Sequence, residues 1–382
     1  MKIMLSAGEA SGDLHGARLA AELKRQAPET ELVGFGGDLM AKEGVHLWHN
    51  FKNYNVMGVW EVLMNLRKFL GLMKDLAERM RRERPDLLVL IDYPDFNWRL
   101  AKRAKALGVP VFSYIPPSAW AWRRGRAKDC AAVADEFVSI FPFELEPYEE
   151  AGAKISFLGN PLVDAVKPEI SGEEARSFFG IEEGEHVVLL LPGSRRQEIR
   201  RLFPSMLAAA KILLGERSKT RFCLPVADGV EEGMLEEMIA GAGVPVTLTR
   251  EYRYALMGIA DAAIATSGTV VMEAALMGLP CVVLYRMGAF NYFIGRLLVH
   301  VENFSLPNIL LGRRAQPELL QDEVEPRRIA GETLKLYRGE SHRDEVRKDL
   351  TEACRRLGEP GAAARIAGRI LAAAKRHDGG KA

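Results

Sequence analysis

The chain reads as an α/β protein of two Rossmann-like, doubly wound parallel-sheet domains facing each other across a cleft, and three observations point there. Short apolar runs alternate with amphipathic helical patterns from end to end. The alternation breaks once, around residues 160–184, and then restarts. At 382 residues the chain also exceeds what one hydrophobic core usually organises. Parallel strands are covered on both faces, so they read as continuous apolar runs rather than as a two-residue alternation.

In chain order, the first series of runs occupies residues 3–7, 87–91, 111–114, 137–140 and 155–158, each near a turn signal. Between them, residues 16–26, 59–82 and 97–107 carry helical periodicity. Residues 160–184 hold Pro161, Pro168, Gly172 and Gly180 among scattered charges, which reads as a linker. The second series occupies residues 187–191, 221–224, 246–248, 262–265 and 281–285, and from about residue 341 the tail reads as helical. The expected division is therefore residues 1–165, rejoined by helices within 345–382, and residues 166–344. Open α/β sheets bind ligands beyond the carboxyl ends of their strands, so chemistry is sought just after each apolar run.

Composition narrows the class. An apolar fraction of 48% with 27% charged residues is globular, and excludes a disordered, collagen-like or disulfide-stapled chain. The 52 basic and 51 acidic residues leave a net charge of +1, so no global field draws nucleic acid. Cys130, Cys223, Cys281 and Cys354 are too widely spaced for a zinc ribbon or a redox pair, and read as buried, reduced thiols of a cytosolic protein. Glu9 cuts the first apolar run short of a signal-peptide core. No apolar stretch approaches the roughly 18 residues of a membrane span, so membrane contact is expected from the surface only.

The first run enters Gly8-Glu9-Ala10-Ser11-Gly12-Asp13. This is not the dinucleotide fingerprint, no lysine follows to make a Walker loop, and Glu9 and Asp13 would repel a pyrophosphate. An acidic, glycine-rich loop suits hydroxyl groups; equally, it is a tight turn with Asp13 or Ser11 capping a helix. His15, beside it, either reaches the cleft or is an ordinary helix residue. Residues 87–91 end in Asp92-Tyr93-Pro94-Asp95. A carboxylate directly after an apolar strand sits where low dielectric can raise its pKa, so Asp92 is the first candidate for a general base. Asp95 is the alternative base, or a helix cap.

The Tyr114–Arg124 stretch, written Y-I-P-P-S-A-W-A-W-R-R, carries Trp120 and Trp122 ahead of Arg123, Arg124, Arg126 and Lys128. Aromatic plus cationic character fits a membrane interface or an anionic, acylated ligand, whereas the bland reading buries the tryptophans under a basic helix. In the 59–80 helix, Val59, Leu63, Leu66, Leu70 and Met73 form a core stripe, widened by Met57, Trp60, Met64, Phe69 and Leu72. Burial is the favoured reading of that helix by itself, and a bilayer interface the sharper alternative.

The second half holds the phosphate chemistry. Residues 187–191 enter Pro192-Gly193-Ser194-Arg195 and then a helix, where backbone N–H groups, the Ser194 hydroxyl and the Arg195 guanidinium make an anion site for a diphosphate. Residues 262–265 lead to Ser267, Gly268 and Thr269, which open another helix, and to Glu273, placed to accept both hydroxyls of a ribose. No D-x-D motif is present, His46 and His49 lack further ligands, and no G-x-S-x-G elbow occurs. Stabilisation without metal or cofactor is the consistent expectation.

Taken in order, these motifs resemble the lipid-A-disaccharide synthases, a GT-B glycosyltransferase family, over nearly the whole chain. The residues carrying the resemblance are 8–13, 91–97 (I-D-Y-P-D-F-N), 117–123 around W-A-W, 191–195, 267–273, Tyr285-Arg286-Met287 and Ser305-Leu306-Pro307-Asn308. One departure is Pro116, where the family usually has serine. The resemblance implies transfer of 2,3-diacylglucosamine from its UDP conjugate to the 6-hydroxyl of 2,3-diacylglucosamine 1-phosphate (lipid X). The products would be the β-1′,6-linked lipid A disaccharide 1-phosphate and UDP. It implies that Asp92 takes the hydroxyl proton in an inverting attack, while Arg195, Ser194 and residues 267–269 meet the charge on the leaving UDP. Glu273 would hold the ribose, the backbone of Tyr285, Arg286 and Met287 the uracil, and Glu9 and Asn308 would orient sugar or phosphate groups.

Both substrates carry acyl chains, so the resemblance also implies contact with inner-membrane phospholipid from the cytoplasmic side. Ser11, Asp13, Trp60, Phe69, Trp120, Trp122 and Arg123 are the candidate acceptor and membrane residues. A homodimer, formed by exchange of carboxyl-terminal segments, is a further implication. Two rivals are a UDP-N-acetylglucosamine 2-epimerase, which would need neither the W-A-W loop nor the apolar helix, and a non-catalytic binder, which would waste Asp92.

Overall fold

The computed structural model describes residues 1–54, 59–120, 124–288, 302–338 and 340–378, with the side chains of 59–66, 337, 338, 340, 341, 377 and 378 outside the description. The chain divides into two compact units, Met1–Pro161 with Gly358–Ala382, and Leu162–Leu357. The first unit holds a parallel sheet of β1 (Lys2–Ser6), β2 (Glu31–Gly36), β3 (His46–Asn50), β4 (Leu87–Ile91), β5 (Val111–Tyr114), β6 (Glu136–Ser139) and β7 (Ile155–Phe157), in the order β3-β2-β1-β4-β5-β6-β7. The second holds β8 (His186–Leu191), β9 (Thr220–Pro225), β10 (Val246–Thr249), β11 (Ala262–Thr266), β12 (Cys281–Tyr285) and β13 (Glu318–Leu320), ordered β10-β9-β8-β11-β12-β13 and again parallel. In both sheets the strand order reverses at the first strand, between β1 and β4 and between β8 and β11, which is where a doubly wound sheet opens a ligand crevice.

Alternate strand residues feed opposite faces of the first sheet. Ile3, Leu5, Val89 and Ile91 pack with Leu19 and Leu23 of the helix Ala10–Gln26 and with Ile366 and Ile370 of the helix Ala362–Asp378. Met4, Leu88 and Leu90 pack on the other face with Leu76 and Met80 of the helix Val59–Glu83 and Leu100 of the helix Pro94–Ala106. Burying each such side chain contributes about 1.5–3 kcal/mol, so both faces must be apolar and the strands read as runs. The carboxyl-terminal helix is further fixed through Glu136, a buried carboxylate met by Arg369, by Arg376 at 2.6 Å and by Lys154 at 3.0 Å.

Several expectations change. Residues 160–184 are not a linker: they include the helix Gly172–Phe178, started by a reciprocal Ser171–Glu174 capping box, and Ala175, Phe179 and Ile181 join the core of the second unit. The helix Glu340–Arg355 buries Val346, Leu350 and Ala353 in the second unit, so the chain re-enters the first at Gly358 rather than at 345. In the helix Val59–Glu83 the described buried stripe runs through Leu72, Met73, Leu76 and Met80 with Phe69 half-buried, whereas Leu70, expected in the core, is 53% exposed. The four cysteines are free thiols; three are buried and Cys354 is half-buried, and burial pushes the Cys130 thiol up to about 11 and Cys281 to about 12. Among the described residues, no helix is long and apolar enough to cross a membrane.

Candidate active site

At the β1/β4 switch point of the first unit, the chain leaves β4 through two consecutive left-handed residues, Asp92 (φ 49°) and Tyr93 (φ 50°), and leaves β5 through a third, Ile115 (φ 58°). Non-glycine residues rarely adopt this conformation, which costs on the order of 1–3 kcal/mol and persists only where neighbours enforce it. The enforcing neighbour is Asn97, buried in the first turns of the next helix. Its amide donates to the carbonyl of Asp92 at 2.6 Å and to that of Ser6 at 3.2 Å, and its oxygen accepts from the Ser6 hydroxyl at 2.7 Å. The Asp92 N–H in turn donates to the Tyr114 carbonyl at 3.2 Å.

The strained turn sets Asp92 against Glu9. Burial, and then the charge of Glu9, push the Asp92 carboxyl up to about 6, so it can gain or lose a proton near neutrality. Ser11 donates to Glu9 at 3.0 Å. Gly8 is required here, because a Cβ would stand 2.1 Å from the Tyr93 ring. Asp95 is exposed, lies inside the first turn of its helix rather than at the cap, and pairs with Arg126 at 3.3 Å.

Of the other candidates in this unit, Asp13, Phe69 and Trp120 are engaged within the protein. Asp13 is buried and accepts from the N–H groups of Gly37, Leu39 and Met40 at 2.9, 3.1 and 3.1 Å, so it caps the helix Asp38–Lys42 instead of facing a ligand. His15 is half-buried, edge-on to Tyr114 at 6.0 Å, with burial pushing its imidazole down to about 4 and so keeping it neutral. Phe69 packs against Tyr54 and Phe96, and Trp120 against Phe143, so neither ring projects freely. The side chains of Trp60, Trp122 and Arg123 lie outside the described residues.

At the β8/β11 switch point of the second unit, a cavity of about 350 Å³ is lined by Gly193, Ser194, Arg195, Ser267, Gly268, Thr269 and Glu273. These residues bring two helix starts to one cavity, those of Arg196–Glu216 and Thr269–Leu276, whose unpaired N–H groups favour an anion. Gly193 turns with φ 107°, and a Cβ there would lie 2.8 Å from Glu198. Arg195 is exposed and, among the described residues, pairs with Glu198 at 3.1 Å, so its guanidinium is available to a phosphate. Glu273 leaves one buried carboxylate oxygen without a hydrogen bond, with Arg253 at 3.6 Å. Ser267 spends its hydroxyl on the Phe304 carbonyl at 3.0 Å, which leaves its accepting lone pairs and the neighbouring helix start.

Three expected contacts lie apart from this cavity. Arg286 donates to the carbonyls of Gln321 and Val324, and the backbone of Met287 is paired in both directions with the Gln321 side chain, at 2.7 and 3.1 Å. The Asn308 amide is saturated: it donates to the Gln316 carbonyl and to Glu318, and accepts from the N–H groups of Ala315 and Gln316. The Arg286 side chain, the Met287 backbone and the Asn308 amide thus hold loops. Arg253, Ala227 and Met257 also line the cavity. Arg253 follows the end of β10, and the rule that strand ends face the crevice could have found it. Asn97 was visible inside I-D-Y-P-D-F-N but carried no role there. Among the described residues, no group of three His, Cys, Asp or Glu side chains is placed to hold a metal ion.

Comparison with known proteins identifies the family. The model of the family described as lipid-A-disaccharide synthetase matches residues 3–369. The lipid-A-disaccharide synthase of Syntrophus aciditrophicus is 41% identical over 377 residues, 98% of either chain. That of Myxococcus xanthus is 42% identical over 370 residues, 97% of either chain. Among solved structures, UDP-GlcNAc 2-epimerase from Neisseria meningitidis bound to UDP-GlcNAc superposes with a TM-score of 0.69 at 14% identity, covering 97% of this chain and 100% of that one. Acinetobacter baumannii MurG superposes with a TM-score of 0.60 at 14% identity, covering 97% and 99%. At such identities the structures speak for the shared fold alone, two parallel-sheet Rossmann-like domains of the GT-B kind. The sequence relatives speak for more: this chain belongs to the lipid-A-disaccharide synthase family, glycosyltransferases of lipid A biosynthesis.

Proposed function

We propose that the chain transfers 2,3-diacylglucosamine from its UDP conjugate to the 6-hydroxyl of 2,3-diacylglucosamine 1-phosphate, with inversion and without a metal ion. The observation that carries this reading is the environment of Asp92: a strand-end carboxyl, held in a strained turn and brought near neutrality by burial and by Glu9. In the reaction, ionised Asp92 takes the proton of the acceptor hydroxyl as its oxygen attacks the anomeric carbon. The new C–O bond forms as the bond to the β-phosphate breaks, and UDP leaves with the electron pair. One displacement inverts the anomeric centre and gives a β-linked product. Arg195, Ser194 and the helix starts around residues 193–195 and 267–269 are suited to meet the charge growing on UDP, and the carboxylate of Glu273, which lines the same cavity beside Arg253, suits a ribose diol. Glu9 orients Asp92 and the acceptor.

On this reading the first unit takes the acceptor and meets the cytoplasmic face of the inner membrane, and the second takes the UDP-sugar. Acyl chains contribute about 0.8 kcal/mol per buried CH₂, so the enzyme must work at a lipid surface. Exposed Leu70 joins Trp60 and Trp122 as candidate contacts. The test is UDP release from UDP-2,3-diacylglucosamine in mixed micelles, with and without 2,3-diacylglucosamine 1-phosphate and EDTA. Release that depends on the acceptor and is indifferent to EDTA is expected. Release without acceptor would refute transfer as the reaction, and release abolished by EDTA would refute the metal-free step.

A further inference from the structure

Glu144 stands outside every motif that carries the family resemblance. It ends the short turn Pro142–Glu144 just after β6 and is buried, with 7% of its surface exposed. A carboxyl removed from water is costly unless its oxygens are met. Here the Ser118 hydroxyl donates to one oxygen at 2.9 Å and the Ser139 hydroxyl to the other. Ser139 is the last residue of β6, whereas Ser118 lies in the loop after β5, so the two bonds tie neighbouring strand ends together. The same loop is held at Pro117, whose carbonyl accepts from the Tyr148 hydroxyl at 2.8 Å, and at Trp120, whose ring meets Phe143 at 5.1 Å.

The position of this clamp is what gives it a role. The loop starts at Ile115, a β-branched residue at φ 58° that relaxes unless its surroundings hold it. Ile115 follows Tyr114, whose carbonyl accepts from the Asp92 N–H. Burial first, and the charge of Asp92 among the further causes, push the Glu144 carboxyl up, so the two groups are within electrostatic reach. We propose that Glu144 is a positioning residue for the transfer reaction, clamping Ser118 to Ser139 so that the loop of residues 115–120 keeps its place beside Asp92. The proposal rests on the reading of Asp92 as the base. It accounts for a buried acid with two serine partners at a strand end, where an apolar side chain would fill the same space without fixing the loop.

The test compares Glu144→Ala, Glu144→Gln and Ser118→Ala with Asp92→Asn, reading kcat, acceptor KM and UDP affinity for each. Misplacing a reacting group by an ångström costs up to 100-fold, so E144A should lose about 10- to 100-fold in kcat. UDP affinity should hold within about twofold, separating a loss of positioning from a general loss of structure. E144Q, which keeps the shape and one accepting oxygen, should recover to within about threefold of the parent, and S118A should lose about three- to tenfold. An E144A enzyme with the parent kcat would overturn the proposal, as would an E144Q enzyme no better than E144A. If E144A does not fold, S118A decides: an unchanged kcat overturns the clamp. Full turnover in D92N would instead refute the Asp92 reading, whatever Glu144 does.

Discussion

At the β1/β4 switch point the side chains offered to solvent and to each other are acids: Glu9 and Asp92, with Glu144 in electrostatic reach. At the β8/β11 switch point, built with the same strand order, they are glycines, hydroxyls and arginines around two helix starts, with Glu198 and Glu273 each beside an arginine. The topology supplies a crevice in both places and dictates nothing about charge. The first site spends conformational strain, at Asp92, Tyr93 and Ile115, to hold a carboxyl near its titration point. The second instead uses unpaired N–H groups, which bind an anion without any group having to titrate. One crevice is arranged to move a proton and the other to hold charge that does not move.

The sharpest way to break this contrast is Asp92→Asn. It should lower turnover by about 10²- to 10⁴-fold, the usual worth of a general base, and leave UDP affinity, measured by titration calorimetry, where it was. The same substitution should stabilise the fold. A carboxyl raised from 3.8 to about 6 binds more protons folded than unfolded in that window, so wild-type stability falls as pH rises through it. D92N escapes this penalty, and above pH 6 should gain about 1–3 kcal/mol in urea unfolding, a gain that disappears towards pH 4. Equal stability at pH 7.5 would mean that the site is not strained electrostatically.

Glu273→Ala probes the other crevice. Loss of a charged acceptor should weaken UDP binding by about 10- to 100-fold, with kcat at saturating donor little changed. A fall in kcat alone would blur the division between the two sites. The smallest effects separate two adjacent residues of the helix Val59–Glu83. Leu70→Ser, at an exposed position, should reduce co-sedimentation with anionic liposomes while changing stability by no more than about 0.5 kcal/mol. Phe69→Ser, packed between Tyr54 and Phe96, should instead cost about 1–3 kcal/mol of stability. Liposome binding unchanged in L70S would remove this surface from the membrane contact.

Much of the architecture was legible because strands covered on both faces leave uninterrupted apolar runs, as at residues 87–91 and 187–191. The strands that escaped notice lack that mark. In β2, Gly34 is needed because a Cβ there would meet the Leu5 carbonyl at 2.0 Å; β3 carries His46, His49 and Asn50 at the sheet edge; β13 is three residues long and opens with buried Glu318. At the sites, Asp92, Glu9 and the 193–195 and 267–273 segments were legible from their place after a strand. The internal bonds of Asp13 and Asn308 were not legible, for one physical reason. A polar side chain bound to the protein's own amides or carbonyls has the same spacing in sequence as one waiting for a ligand. Asn97 and Glu144 escaped for the converse reason, because their work is done on backbone and serine partners far away in sequence.

The central claim is that Asp92 is the proton acceptor and that burial, with Glu9 adding to it, raises its titration, and the pH dependence of kcat/KM tests it most directly. Wild-type enzyme should lose activity as pH falls through about 6, because Asp92 must be ionised to accept a proton. Glu9→Gln removes the neighbouring charge and should move that acid limb to lower pH. An acid limb unmoved by E9Q, or one that survives intact in D92N, would contradict the account.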